Sequence, residues 1–325
     1  RTTYGYDALH RMDDMHVQTA GNQTLLRQAY SYDAGGNRVE LQETFVNENG
    51  DSANRTVRYA YDDIDQLTSV NYTDRGVGND LTFVYDAKGN RTTATAPFGS
   101  VNYGYNNAGQ LTGVNQNSRM SVASSYDPNG SLTQEVYRRQ GRDVQQVAYT
   151  WDAENRLAGI TYTDTARPNY LPDLAQNELS FVYDNSGNRI KKQANHEATY
   201  YVNNGLTVLS ELSGQTLAVD KTLIPGVGTV AELEGDGTLS YVHSDVLGST
   251  VLMTNAQGAV TAEYDYDVFG SLLGMKGSSS TGYLFTGQEF DPESNLYYYN
   301  ARYYSPTLGR FISRDVYLGE AGDSL

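Results

Sequence analysis

Large apolar side chains recur at every second position in short stretches of this 325-residue chain. In one stretch, Leu179, Phe181 and Tyr183 have the spacing that places side chains on one face of a β-strand. Asp184 follows with a short acceptor for backbone N–H groups, and Gly187 can take the positive φ that ends a type I turn. The stretch therefore predicts one corner of a β-hairpin.

The same corner occurs in eight copies before residue 191. Each copy opens with an aromatic residue followed by an acid or amide: Tyr6 with Asp7, Tyr32 with Asp33, Tyr61 with Asp62, Tyr85 with Asp86, Tyr105 with Asn106, Tyr126 with Asp127, Trp151 with Asp152, and Tyr183 with Asp184. The shortest interval, from Tyr85 to Tyr105, holds two short strands and a second turn. The repeat predicts a continuous antiparallel meander with the corners along one rim and variable loops along the other.

The predicted fold class is all-β. Apolar spacing of three and four is not sustained, and Gly, Asn, Asp and Ser interrupt the chain at short intervals, which is typical of strands and turns. A flat sheet of many short strands would leave an apolar face in water, so we expect the strip to wind into a spiral shell. We also expect the Tyr rings of neighbouring corners to stack into ladders along it.

Three regions are predicted along the chain. Residues 1–192 form the repeat array, and the regular corner disappears from about Lys192. Residues 193–240 are predicted to form transitional β-hairpins punctuated by glycine. Residues 241–325 form a block that is denser in Tyr and Gly.

The corner copies differ at the sixth position after the opening aromatic residue. The copies at Tyr32, Tyr85 and Tyr183 have Arg there, and four copies that alternate with them have an apolar residue. The copy at Tyr126 breaks the alternation, because it has Leu132 where Arg is expected. This difference is consistent with successive hairpins that meet different neighbours.

Composition excludes several classes of function. The net charge is −16, with 39 acidic against 23 basic residues, which argues against nucleic acid as a partner. The chain has no Cys and its four His are scattered, so we expect neither a metal site nor a cofactor. Apolar runs such as the one at Val251 are too short to span a membrane.

The corner motif and the last region resemble the RHS/YD-repeat family, which includes bacterial polymorphic toxins, the C component of insecticidal toxin complexes, and teneurins. In the last region the resemblance rests on YVHSDVLGST from Tyr241, YDYDVFGSLL from Tyr264, and the run from Tyr283 to Asp315. The motif residues there are Tyr266, Asp267, Gly270, Gly287, Arg302, Tyr303, Tyr304, Gly309, Arg310 and Phe311.

This resemblance implies a hollow β-shell around a C-terminal polypeptide cargo, with residues 241–325 as the RHS-repeat-associated core domain. The implied partners are the protein's own cargo, the upstream shell, and secretion or delivery machinery, and the implied location is secreted or cell-surface. Arg314 and Asp315 match the start of the family's self-cleavage segment, although Val316 and Ser305 depart from its usual residues. The chain looks like a fragment of an aspartyl-type autoprotease, with the site itself incomplete.

Other interpretations stay open. Asp315 beside Arg314 is, as a bare sequence feature, a surface ion pair. The many tyrosines also fit a glycan-binding or adhesion module of the teneurin type, because aromatic faces suit sugar rings. The acidic balance is consistent with a shell interior that attracts a basic cargo.

Overall fold

The computed structural model describes residues 1–46, 52–73, 80–97, 99–116, 120–164, 178–226, 228–278 and 281–315. Nearly all of the regular structure in these ranges is β-strand, and the one helical segment among them is the short 3₁₀ turn Phe285–Gly287. The all-β prediction is confirmed. No helix in the described ranges is long and apolar enough to cross a bilayer.

Twenty-four strands of the described ranges form the main sheet, which we call the meander. In chain order they are β1 Thr2–Tyr6, β2 Met12–Gln18, β3 Thr24–Tyr32, β4 Arg38–Val46, β5 Ser52–Tyr61, β6 Leu67–Tyr72, β7 Leu81–Tyr85, β8 Arg91–Ala96, β9 Gly99–Tyr105, β10 Leu111–Gln116, β11 Met120–Tyr126, β12 Leu132–Arg139, β13 Arg142–Trp151, β14 Leu157–Asp164, β15 Glu178–Tyr183, β16 Arg189–Ala194, β17 Glu197–Asn204, β18 Thr207–Ser213, β19 Val219–Gly226, β20 Gly228–Glu234, β21 Leu239–Ser244, β22 Thr250–Asn255, β23 Val260–Tyr266 and β24 Leu272–Gly277.

Each strand of the meander pairs antiparallel with the next one in the chain. The pairing runs without interruption from β1 with β2 to β23 with β24. At the corners the opening aromatic residue pairs with the sixth residue after it, as Tyr183 does with Arg189, and a bulge adjoins the pair. The predicted antiparallel meander is confirmed.

The strip winds back on itself, because its first strands meet its last ones. A 2.7 Å hydrogen bond joins Thr2 Oγ1 to His243 Nδ1, and Arg55 on β5 binds Asp265 on β23 at 3.1 Å. Met15 and Leu252, from opposite ends of the meander, share one buried cluster. These contacts connect residues more than two hundred positions apart in sequence. The apolar face of the strip therefore lies on the inside of the winding, as it would in a wound shell.

Four short strands follow the meander and form a second sheet, which we call the C-terminal sheet. They are β25 Glu289–Asp291, β26 Leu296–Tyr299, β27 Arg302–Ser305 and β28 Arg310–Phe311. Tyr298 and Tyr303 from this sheet pack against Leu157, Leu179 and Phe181 of the meander. The C-terminal sheet therefore lies against the inward face of the wound strip and covers part of its apolar surface.

The meander crosses both predicted region boundaries without a break. β16 pairs with β17 near residue 193, and β20 pairs with β21 near residue 241. The division into three regions remains a prediction about domain organisation.

The prediction that the regular corner disappears near Lys192 needs correction. Asp245, Asn255 and Asp267 form the same turn as the earlier copies, with side-chain oxygens that accept two backbone N–H groups each. At Asp245 and Asn255 the turn persists without its opening aromatic residue, which is why the sequence motif became hard to recognise.

Candidate functional site

Acidic side chains hold the corners of the meander in shape. Asp184 Oδ1 accepts the backbone N–H groups of Ser186 and Asn188, at 2.8 Å and 2.9 Å. Gly187 closes the turn with a φ of 87°, a value that L side chains rarely adopt. The remaining predicted acids accept backbone N–H groups in their own corners: Asp33, Asp62, Asp86, Asp127 and Asp267. These carboxylates satisfy backbone donors, which is a structural role.

Corner tyrosines link each hairpin to the one before it. Tyr85 Oη donates to the carbonyl oxygen of Leu67 at 2.8 Å, and Leu67 is the sixth residue after the preceding corner aromatic, Tyr61. The same bond is made from Tyr32, Tyr61, Tyr105, Tyr126, Tyr183 and Tyr266. Trp151 makes it through its indole Nε1–H, to Leu132 at 2.7 Å. A phenylalanine cannot make this bond, which accounts for tyrosine at these seven corners.

The predicted stacking of corner rings is corrected by these contacts. Within the described ranges, the ring pairs join the repeat array to residues beyond 265 or lie wholly within that later part. The corners are thus connected through hydroxyl groups and not through stacked faces, because consecutive corners offer a carbonyl oxygen at the right distance.

The arginines at the sixth position all point into the interior. Arg38 lies over the rings of Tyr30 and Tyr59, at 5.8 Å and 4.7 Å from their centroids. Arg91 lies over Phe83 and Tyr103 in the same way. Two successive hairpins thus each supply one ring to these arginines, and Phe269 adds a third ring at 4.2 Å from Arg91, an arrangement that favours a cation.

Arg189 is the centre of the interface between the meander and the C-terminal sheet. Its guanidinium group is fully buried and binds Glu289 and Asp291, each at 2.6 Å. Lys192 adds a second cation, 2.8 Å from Asp291. Burial alone would raise the pKa of Asp291, but the charges of Arg189 and Lys192 outweigh it, so the pKa lies below its usual value. The ionised form of Asp291 is therefore favoured where it meets the meander.

Tyrosine hydroxyl groups complete this ionic centre. Tyr201 donates to Glu289 Oε1 at 2.6 Å, and Arg189 Nη1 donates to the Tyr303 hydroxyl at 3.1 Å. The backbone N–H of Arg189 donates to the Tyr298 hydroxyl at 2.9 Å. These hydrogen bonds supply much of what a buried ion pair needs to be tolerated, and Arg189 Nε is left without a hydrogen-bond partner among the described residues.

A neighbouring charged group lies between β18, β19 and β20. Lys221 binds the fully buried Glu232 at 2.9 Å, and Thr281 donates to the same carboxylate. Burial, followed by the charge of Glu289, raises the pKa of Glu211 to about 7. Glu211 is thus a carboxyl group that changes charge near neutral pH beside the interface.

The remaining motif residues fasten the C-terminal segment to the meander. Arg91 Nη2 donates to the carbonyl of Leu308 at 2.8 Å, and a Cβ on Gly309 would lie 3.3 Å from that guanidinium group. Arg310 lies 5.3 Å from the ring centroid of Tyr105 and donates to Gly109. These contacts form a second anchor, separate from Arg189.

A third anchor involves the corner at Asp267. Tyr304 Oη donates to the carbonyl of Phe269 at 3.0 Å, and Phe311 packs edge-on against Tyr304. Gly270, with a φ of 90°, leaves room for the ring of Phe285. Gly287 has a φ of 70° and approaches the carbonyl of Gly248. A side chain at Gly270 or Gly287 would therefore meet the ring of Phe285 or the carbonyl of Gly248, respectively.

The two candidate catalytic residues, Asp315 and Arg314, contact different parts of the structure. Asp315 binds Arg302 at 2.7 Å, and the Arg302 guanidinium lies 3.8 Å from the centroid of Phe311. The exposed Arg314 runs alongside the corner at Gly130. The simple interpretation of Asp315 as the ion-pair partner of Arg314 is corrected, since Arg302 takes that place. A catalytic role for Asp315 and Arg314 remains a prediction.

Sequence reasoning missed Glu289, Asp291, Lys192, Lys221 and Glu232 as a buried ionic group. The sequence did contain one indication of this group. Arg189 stands at the sixth position of its corner, and its own strand β16 has no acidic residue that could pair with it. Its partners lie about a hundred residues further on, at β25. The pattern of one hairpin cannot predict a partner that lies so far away in sequence.

Comparison with known proteins now decides the family. The model of the RHS Repeat matches residues 85–119. The tRNA3(Ser)-specific nuclease WapA of Bacillus spizizenii is 31% identical over 274 residues, which cover 82% of this chain and 11% of that protein. The chain belongs to the RHS/YD-repeat family.

Further RHS-type relatives are similar over the whole chain. The toxin subunit YenC1 of Yersinia entomophaga is 23% identical over 97% of this chain and 37% of its own length. A crystal structure of TcdB2-TccC3-TEV covers 97% of this chain and 19% of its own, with a TM-score of 0.46 and 16% identity. The chain spans only a small part of each of these proteins.

Proposed function

We propose that this chain is the wall and inner closure of a shell in a larger RHS-family toxin, which holds a polypeptide cargo. The observation that carries the proposal is the anchoring of the C-terminal sheet on the inward face of the meander through buried Arg189. A chain that enters the interior at this point would deliver whatever follows it into the enclosed space. The name of the toxin subunit YenC1 supports the same interpretation.

The internal contacts of the tyrosines favour a scaffold over a glycan-binding surface. Corner hydroxyl groups are used between hairpins, and Tyr298 and Tyr303 are buried against Arg189. Among the described residues, the exposed tyrosines that remain to stack on sugars are Tyr4, Tyr6 and Tyr241. In this proposal the protein is secreted or delivered, with its cargo and delivery machinery as partners.

Protease protection tests the enclosure. A natural parent sequence that continues past Leu325 is digested with proteinase K, next to the same downstream segment expressed alone. We expect the segment to survive in the parent until the shell is denatured, and to be degraded quickly when it is free. Equal rates of digestion would reject the proposal.

Self-cleavage is proposed for the same parent, with Asp315 as one of the acids and Arg302 as the residue that positions it. Peptide hydrolysis by carboxylates needs two acids with different pKa values, so a second acid is required. Release of a downstream fragment is followed on a gel. Asp315→Asn should abolish release, whereas Asp143→Asn, in an exposed ion pair with Arg138, should not. Unchanged release from Asp315→Asn would remove Asp315 from the mechanism.

A further inference from the structure

A cavity of about 690 Å³ lies between strands β9–β14 and two loops of the C-terminal sheet. Its size is in the range of pockets that hold small molecules or side chains. Four tyrosines of the described ranges line it, Tyr103, Tyr137, Tyr149 and Tyr162. The cavity therefore presents several aromatic faces and edges to whatever enters it.

A buried carboxyl group faces this cavity. Glu135 is only 5% exposed, and its Oε2 accepts the hydroxyl groups of Tyr149 at 2.8 Å and Tyr137 at 3.2 Å. Within the described residues, Glu135 has no ion-pair partner, and neither Lys nor Arg lines the cavity. Glu293 adds a second carboxylate to the wall. A buried acid with hydroxyl partners alone is unusual, since buried charges are normally paired.

Other buried acids in the same chain do have cations. Glu289 and Asp291 bind Arg189, Glu232 binds Lys221, and Glu43 binds Arg55. Arg189 also lies against aromatic rings, at 5.0 Å from the centroid of Tyr201 and 4.4 Å from that of Tyr298. The interior of this fold thus repeatedly uses a cation between rings and carboxylates.

The cavity lies at the one corner copy that breaks the arginine alternation. Tyr149 stands two positions before Trp151, as Tyr59 does before Tyr61, where it packs on Arg38. The hairpin of Tyr126 has Leu132 at the sixth position, so it supplies no arginine at the position where Arg38, Arg91 and Arg189 stand in their hairpins. The rings and the acid are present at this position, and none of the described residues that line the cavity supplies a cation to them.

We propose that this cavity binds a lysine or arginine side chain of the enclosed polypeptide, with Glu135 as its carboxylate partner and Tyr137, Tyr149 and Tyr162 as its aromatic walls. The proposal rests on the enclosure proposed above and deepens it, because it names a contact that would hold cargo inside. Burial raises the pKa of Glu135, and a bound cation would favour its ionised form. An arginine is the better fit, because its planar group stacks on rings and binds a carboxylate with two donors.

Isothermal titration of the folded chain with two peptides tests this site. The probes are acetyl-Gly-Arg-Gly-amide and the same peptide with citrulline, which has the shape of arginine without the charge. We expect saturable binding of the arginine peptide at low salt, and roughly tenfold weaker binding of the citrulline peptide. Equal binding of the two peptides, or no saturable binding of either, would overturn the proposal.

Variants locate the binding site. Glu135→Gln keeps an acceptor for both tyrosine hydroxyl groups but removes the charge, so arginine-peptide affinity should fall roughly tenfold. Glu197→Gln, at an exposed position, is the matched control and should bind as the original chain does. If Glu135→Gln fails to fold, Tyr162→Leu and Tyr149→Leu take its place, and each should weaken binding because it removes one aromatic wall. Variants that fold and bind normally would reject the site.

The result is independent of the enclosure test. Peptide binding that depends on Glu135, together with an unprotected downstream segment in the parent, would keep the site and reject enclosure. Protection in the parent with no effect of Glu135→Gln on peptide binding would keep enclosure and reject the site.

Discussion

At the scale of single residues, the structure depends on charges that are buried and paired. Arg189 is the clearest case, because its guanidinium group joins β16 to two acids of β25. Removing one partner of such a pair costs more than the pair contributes, since it leaves the other charge buried without compensation. The consequences of single substitutions here should therefore be large.

Arg189→Met should destabilise the protein by roughly 3 to 5 kcal/mol, because Glu289 and Asp291 would remain buried without their main cation. Urea denaturation measures the change. Arg58→Met is the matched control, since Arg58 pairs with Glu40 at the surface and its side chain is 59% exposed. The control should lose less than about 1 kcal/mol. Similar losses in both variants would contradict the assignment of Arg189 as an anchor.

Glu211 should make stability depend on pH in an unusual direction. Its pKa is raised from 4.5 to about 7 by burial and by Glu289, with Lys221, Glu232 and Tyr283 also facing it. The folded state therefore retains a proton that the unfolded state releases. Below pH 4.5 the group is protonated in both states and the free energy of unfolding is at its full value. Between pH 4.5 and 7 the unfolded state loses the proton first, so the free energy of unfolding falls. Above pH 7 it is lower by roughly 3 kcal/mol than below pH 4.5.

Comparison of the chain with Glu211→Gln isolates this effect from other titrations. The difference in unfolding free energy between the two proteins should grow in favour of the Gln variant from pH 4.5 to 7 and then stay constant. Glu197→Gln, at an exposed position, should show no such trend. A constant difference for Glu211→Gln over this range would exclude a raised pKa.

At the scale of elements, the hairpin is the unit and the corner tyrosine is the connection between units. Tyr61→Phe and Tyr85→Phe each remove one hydroxyl bond to the preceding hairpin and leave a carbonyl with one acceptor position unused. Each should cost about 1 kcal/mol, as typical hydrogen bonds do. Thermal or urea unfolding of the two variants measures this cost.

Tyr6→Phe is the natural control for this ladder. Tyr6 opens the first corner in the chain, its ring is 59% exposed, and no earlier corner lies within the described residues to receive its hydroxyl group. Its replacement should change stability by less than about 0.5 kcal/mol. Equal effects at Tyr6 and Tyr85 would mean that the hydroxyl bonds between hairpins contribute nothing specific.

The hairpins could be predicted from sequence because their causes are local. Alternation around Leu179 and Phe181 determines which face is buried, and Asp184 with Gly187 determines where the chain turns. The hydroxyl ladder could not be predicted, because it depends on how one hairpin is placed beside the next. The partners of Arg189 were also beyond local reasoning, since they lie in another sheet. The alternation of Arg and apolar residues was visible but had no explanation until the C-terminal sheet was placed.

At the scale of the whole molecule, the central feature is that a strip of hairpins returns to its own beginning. Arg55 on β5 stands between Glu43, at 2.6 Å, and Asp265 on β23, at 3.1 Å. Thr2 on β1 is hydrogen-bonded to His243 on β21, which is a second contact between the two ends of the strip. Within the described ranges, β1 and β24 each pair on one side only, so side chains and not a closed ladder hold the two ends together.

Arg55→Met should therefore loosen the winding of the strip. Removing this cation leaves Glu43 and Asp265 facing each other across the closure, where like charges repel. The chain has no Cys, so two cysteines for spin labels can be introduced at the exposed positions Arg27 and Leu273 without competing thiols. Pulsed dipolar spectroscopy should then report a longer or broader distance distribution in Arg55→Met than in the parent chain. Arg58→Met, at the exposed pair with Glu40, should leave the distribution unchanged, and a common response of both variants would show that the ends are held by other contacts.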